Sequence, residues 1–185
     1  MKKQNCRRPA FALFSAAIAL VLIPGVAAAQ PKSANPSDQA VLLGQFGDWG
    51  AYTASPGGKK VCFALSKPTS ATTDPAGRNR DASYAFISTR PAEKVKNEVS
   101  VIVGYPQKAG HDANATVGSA TYVMYTQNDG AWVKNAAEET QMVEAMRKGA
   151  DLVVKSESAR GTKTTDTYSL KGIAEALDKV AAECK

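Results

Sequence analysis

This chain is poor in the residues from which most active sites are built. It holds one histidine, His111, in 185 residues, and neither a G-x-S-x-G nor an S-x-x-K motif accompanies it. A serine, histidine and aspartate site needs a base oriented by a carboxylate within hydrogen-bond reach. Asp112 adjoins His111, but consecutive side chains rarely aim at one another, so His111 reads as an exposed loop residue. One histidine cannot complete a metal shell with cysteines that show no C-x-x-C spacing. Residues 74–81 (DPAGRNRD) offer oxygen ligands, yet the spaced acids of a calcium loop are missing and two arginines oppose a cation. A glycine-rich phosphate loop is missing too. The expectation is a protein without catalytic residues, metal or cofactor.

Long apolar runs and charge blocks are equally scarce. The apolar stretch at residues 11–23 is too short to span a bilayer, which takes about 20 residues. It follows the basic head Lys2, Lys3, Arg7 and Arg8 and precedes Pro24-Gly25 and Ala27-Ala28-Ala29. That is the layout of a secretory leader with a small-residue cleavage site. Cleavage after Ala29 takes 29 of the 185 residues and leaves 156, enough for one domain with its own core. Four of the 23 basic residues leave with the leader, so 19 face 17 acids and the net charge falls from +6 to +2. With no run of five or six like charges besides, nucleic acid is not an expected partner. No second apolar stretch of membrane length follows, so the mature chain is expected to be soluble, with no transmembrane segment.

Cys6 lies in the leader and precedes the apolar run, so it is not a lipid attachment site. Cys62 and Cys184 remain, and a lone pair in an oxidising compartment is most simply one disulfide. The chain-entropy model gives about 4–5 kcal/mol for so long a loop.

Residues 30–39 are rich in proline, serine and asparagine and read as a flexible tail, so the expected organisation is leader 1–29, tail 30–40 and one domain over 41–185. Short apolar or alternating segments then suggest eight strands: residues 46–54, 60–66, 83–89, 97–105, 120–127, 131–135, 151–157 and 162–168. In 60–66, Val61, Phe63 and Leu65 share one face and Cys62 takes the other; in 97–105, Val99, Val101, Val103 and Tyr105 share a face. Asn128-Asp129-Gly130 marks a hairpin. Met142, Val143 and Met146 set a helix over 138–148 that stops at Gly149, and a last helix over 170–183 has Ser169 as N-cap. Residues 68–80 and 106–118 read as polar loops. The pattern is mainly β, an antiparallel sandwich with one inserted helix and a C-terminal helix.

Several of these pieces together resemble the invasion-associated locus B family, small exported proteins of Gram-negative bacteria. They are Gly47-Asp48-Trp49, Val61-Cys62, Ser88-Thr89-Arg90-Pro91 and Asn97-Glu98-Val99-Ser100, then Ala145 to Gly149, Ser158 to Thr162, and Tyr168 to Gly172 leading to Cys184. The resemblance implies an immunoglobulin-like sandwich in the periplasm or at the outer envelope, with no known enzymatic activity.

For binding, Trp49 reads either as the core aromatic or, with Asp48, as part of a recognition surface. Arg90, Arg147 with Lys148, and Arg160 at a hairpin tip read as scattered surface charge or as a basic patch for an anionic glycan or acidic partner. Tyr122 and Tyr125 differ in parity, so one points outward, and beside Trp132 it makes a platform for sugar or peptide. The expected function is an exported interaction protein contacting an envelope or host-surface protein. A periplasmic small-ligand or glycan-binding protein is the alternative, and an unrecognised hydrolase ranks third.

Overall fold

In a computed structural model, residues 39–185 are described; the expected leader and nearly all of the expected tail lie outside them. The elements run β1 (Val41–Phe46), β2 (Trp49–Ala54), β3 (Val61–Ser66), β4 (Ser70–Asp74), β5 (Tyr84–Arg90), β6 (Val95–Ile102), β7 (Ala113–Val117), β8 (Ala120–Gln127), β9 (Gly130–Val133), α1 (Ala136–Lys148), β10 (Asp151–Glu157), β11 (Lys163–Ser169) and α2 (Ile173–Glu183). The mainly-β reading with one inserted helix and one terminal helix holds. All eleven strands form one antiparallel sheet, ordered β1-β2-β3-β5-β6-β9-β8-β7-β10-β11-β4. Its two halves meet at β6 and β9 through three register pairs, Ser100 with Trp132, Val101 with Ala131 and Ile102 with Gly130.

Alternation selects the inner face. Cys62, Ala64 and Ser66 of β3 are buried, as are Ala85, Ile87 and Thr89 of β5 and Val99 and Val101 of β6. Cross-strand neighbours share a face, so Val61, Phe63 and Leu65 point outward. α2 lays Ile173, Ala176, Leu177 and Val180 on the inner face of β1, β2, β3 and β5, while α1 sets Met142, Val143 and Met146 against β6 to β9. The Asn135 side chain caps α1 by accepting the Glu138 N–H at 2.9 Å.

Three strands escape a reading based on apolar alternation. β4 (SATTD) is a polar edge strand held almost wholly by its ladder to β11, and β7 (ANATV) buries alanines where large residues were sought. The strand expected over 46–54 is broken: β1 ends at Phe46 and β2 begins at Trp49. Gly47 has φ +55°, and a Cβ there would lie 2.5 Å from the Lys171 carbonyl. Gly172 (φ +88°) mirrors it, since its Cβ would lie 1.9 Å from the Phe46 carbonyl. Two backbones therefore touch where side chains cannot fit, and the Asp48 N–H donates to the Lys171 carbonyl at 3.0 Å. The same contact corrects the helix start: Ser169 belongs to β11, Gly172 is the N-cap of α2, and no side chain caps it.

Two devices close the molecule. Cys62 and Cys184 form the disulfide, with Cα atoms 5.9 Å apart and 122 residues of separation. Arg80, in the loop after β4, forks onto Asp166 of β11, which is 1% exposed; Nη1 to Oδ2 is 2.7 Å, and Nη1 also donates to the Val103 carbonyl at 3.0 Å. Between β6 and β7, residues 103–108 act as a strap. Their N–H groups reach Asp129 and Asn128 on one side and Glu157 on the other, all at 2.8–2.9 Å.

Loss of either cysteine to serine is expected to lower Tm by about 10 °C, equivalent to about 4 kcal/mol for a closed loop of this length. The two variants and the reduced wild type should melt together by calorimetry. A reduced protein that melts with the oxidised one removes the stapling argument. Asp166→Asn leaves Arg80 partly buried without its countercharge and is expected to cost about 3–5 kcal/mol in urea denaturation. The double variant Arg80→Met with Asp166→Leu should recover part of that loss; equal losses would show that pairing is not what the site needs.

Candidate functional site

The outer face of the sheet carries a broad aromatic surface built by strand register. Tyr52, Phe63 and Phe86 come from β2, β3 and β5. Tyr52 stacks on Phe63 with centroids 5.4 Å apart, Phe63 meets Phe86 at 5.9 Å, and Phe86 meets Tyr84 at 6.1 Å. Leu65 pairs with Phe86, Ile102 with Tyr84, and Leu42 of the edge strand with Tyr52. Ser100 of β6 sits between Phe86 and Trp132 in register and is buried despite facing outward, as expected where rings close over a short side chain. Beyond it, Trp132 of β9 stacks on Tyr125 of β8 at 5.7 Å with planes 24° apart. The aromatic and aliphatic row thus crosses β1, β2, β3, β5, β6, β9 and β8.

Glycine helps these rings lie flat. A Cβ on Gly130 would lie 2.2 Å from the Trp132 ring, and one on Gly50 would lie 2.6 Å from the Tyr52 ring. Each ring folds back over the glycine two residues before it on the same face. Leu42 is 52% exposed and Tyr125 is 42% exposed, whereas Tyr122, of opposite parity, is buried with its hydroxyl donating to the Gln141 carbonyl at 3.3 Å. Lys67 sits 5.6 Å from the Tyr84 ring centre at the rim.

Of the residues singled out in the sequence, Trp132 with Tyr125 joins the aromatic face and Asp48 borders it, while the others lie apart. Trp49 is 0% exposed, and its indole N–H donates to the Ser169 carbonyl at 2.9 Å. It is a core residue, which corrects the recognition-surface reading. Asp48 is exposed and borders a recess of about 320 Å³ with Tyr52, Leu65 and Lys67, so it belongs to the rim of the aromatic face. Arg90 forks onto Glu98 at 3.0 and 2.8 Å and reaches Glu93 at 2.7 Å; these carboxylates hold its pKa above the ordinary value. Arg147 bonds the Ala174 carbonyl at 3.3 Å and Asp178 at 3.0 Å, tying α1 to α2. The basic patch built from Arg90, Arg147 and Arg160 is therefore not formed, because two of its members are spent on internal ion pairs. Arg160 is exposed at the β10–β11 turn. Exposed His111 precedes β7, and the neighbouring Asp112 carboxylate is taken by Lys134 at 2.7 Å.

The sequence reached one end of the row, Tyr125 beside Trp132, but not the stretch from Tyr52 to Tyr84, although one signal pointed to it. A cysteine bonded to a terminal helix over the core defines the inner face of its strand. That choice sends Phe63 outward, and its cross-strand neighbours follow.

Glu139 of α1 lies half-buried beside this ion-pair cluster and accepts the Val99 N–H at 2.8 Å. Burial raises its pKa above the ordinary 4.5, opposed by the Val99 N–H; Glu98 adds to the rise and Arg90 opposes it. The folded state thus binds more protons between the unfolded and folded values, so stability falls as pH rises through that window and stays lower above it. Glu139→Gln keeps an acceptor for Val99 and is expected to flatten this slope and raise the urea midpoint at pH 7. An unchanged slope in the variant would refute burial as the cause.

The segments that carried the family resemblance are joints of this fold. Gly47-Asp48-Trp49 docks on Ser169 to Gly172, Cys62 bonds Cys184, and Arg90 pairs with Glu98 across the β5–β6 hairpin. Ser158 to Thr162 close the β10–β11 turn, with Ser158 accepting the Gly161 and Thr162 N–H groups at 2.8 and 3.0 Å. No curated protein and no solved structure matches the chain. The family model described as invasion associated locus B (IalB) protein matches residues 49–181, and the chain belongs to that family.

Proposed function

We propose that the protein is exported, loses residues 1–29, and acts in the periplasm or at the outer envelope as a non-enzymatic module. It would hold a protein partner against the aromatic face of its sheet. The observation that carries this reading is the outward row of Tyr52, Phe63, Phe86, Tyr84, Trp132 and Tyr125, contributed by five strands of one sheet. Interface centres are enriched in tyrosine, tryptophan and phenylalanine, and a contiguous apolar patch on a protein surface commonly marks an interaction site. The rim is polar, with Asp48, Lys67 and Glu98, as an interface rim should be. The disulfide supports export, since such bonds persist in oxidising compartments. Among the described residues no helix is long and apolar enough to cross a membrane.

The test is capture in living cells. The tagged full chain, expressed from its own leader in a Gram-negative host that carries it, is crosslinked and its adducts are identified by mass spectrometry. One dominant envelope protein is expected, reduced about tenfold by Tyr125→Ser with Trp132→Ser, as loss of two hot-spot rings implies. The mature N-terminus should read Gln30. A folded, abundant protein without an adduct, or an adduct indifferent to both substitutions, overturns the binding reading; an N-terminus at Met1 overturns export.

A further inference from the structure

The strand order leaves two edges, β1 and β4, and they are built differently. β4 (SATTD) shows polar side chains to solvent and ends on Asp74 before Pro75; charge and proline are what blunt a sheet edge. β1 (VLLGQF) has neither charge nor proline. Val41 is 57% and Leu42 52% exposed; only Val123 and Tyr125 join them as exposed large apolar residues among those described. Among the described residues no segment pairs with the outer side of β1. An apolar edge of this kind is a template for another strand.

The face pattern of β1 identifies that strand. Val41 stands opposite Thr53 and Phe46 opposite Trp49 on the inner face, while Leu42 opposite Tyr52 and Gln45 opposite Gly50 lie on the outer face. The register shifts between Leu42 and Gly44, as at a β-bulge. Leu43 packs on the core, and a Cβ on Gly44 would lie 3.0 Å from the Phe46 ring, so both face inward. From Val41 to Phe46 the order is in, out, in, in, out, in, which reads the same from either end. Opposing residues of an antiparallel pair share a face. A second β1, turned about the midpoint of Leu43 and Gly44, therefore matches at every position. Val41 meets Phe46, Leu42 meets Gln45 and Leu43 meets Gly44. A two-fold axis sets a strand against itself, so a charge within it would lie near its own copy; β1 has none.

We propose that the protein forms a two-fold dimer by antiparallel pairing of β1 with β1 of a second copy in this register. Main-chain bonds join the two sheets edge to edge. Val41 against Phe46 adds apolar contact on the inner side, and Leu42 against the aliphatic stem of Gln45 adds it on the outer side. The two outer faces become one surface, with Leu42 and Tyr52 of each copy next to the seam. The dimer uses the edge of the sheet and leaves the aromatic face open, so it is independent of any partner there.

The protein, purified after expression from its own leader, is studied by sedimentation equilibrium. A reversible dimer with a micromolar dissociation constant is expected, as an interface of small area implies. Leu42→Lys with Gln45→Lys sets like charges opposite each other across the axis and should weaken association at least about tenfold, as should Leu42→Glu with Gln45→Glu. Mixed one to one, the two double variants should pair with each other, because the lysines of one copy then face the glutamates of the other. Val123→Lys, a similar change at an exposed apolar residue of β8, should leave association unchanged. Matching thermal melts establish that each variant is folded. A wild-type monomer throughout the concentration range overturns the proposal. So does a dimer indifferent to both double variants, a pair of variants that stay apart when mixed, or an equal loss in Val123→Lys.

Discussion

The rest of the structure depends on the contact between the β1–β2 turn and the turn that launches α2. Gly47 and Gly172 let two backbones approach more closely than any side chain permits, and Trp49 fixes the depth of the contact through its bond to Ser169. The Ser66 hydroxyl holds the Asp48 carbonyl from the other side at 2.7 Å, so the turn is gripped by both β3 and the β11–α2 joint. This sets the entry angle of α2 across the inner face of the first half-sheet. The disulfide holds the far end of the same helix to β3. A helix tied at both ends covers the apolar face on which the core of that half depends.

The two halves of the sheet are joined more lightly. Three register pairs between β6 and β9 would be a weak hinge alone. The strap over residues 103–108 and the ion pair of Arg80 with Asp166 reinforce it. A buried pair of this kind adds little net stability over an apolar substitute, but removing one partner is costly. Its geometric effect is to hold Tyr105 under the Arg80 guanidinium and against Thr164 of β11. Apolar burial thus supports the aromatic face, and a polar lock supports the joint between the halves.

Inside and outside divide the labour of the chain. The segments that carried the family resemblance are joints: turns, a disulfide, and ion pairs across a hairpin or between helices. The matched residues 49–181 also contain the rings of the aromatic row. Family membership and the fold thus cover the same stretch of chain, while the chemistry of its surface is read from the residues that the sheet turns outward.

Much of the architecture was legible without coordinates. Alternation in residues 60–66 and 97–105 marked strands, Met142, Val143 and Met146 marked a helix, and two cysteines behind an expected leader marked a disulfide. These are local or counting signals, which one sequence carries. β4 and β7 were missed because their residues are polar or small and their stability comes from ladder partners. The broken first strand was missed because its cause, Lys171, lies more than a hundred residues away. By itself the sequence determined the class of fold, its inserted and terminal helices and its single covalent staple, since periodicity and composition act over a few residues. Only tertiary structure decided which face of each strand met solvent and which arginines were spent on internal ion pairs. Those outcomes depend on register and on partners brought together from distant parts of the chain.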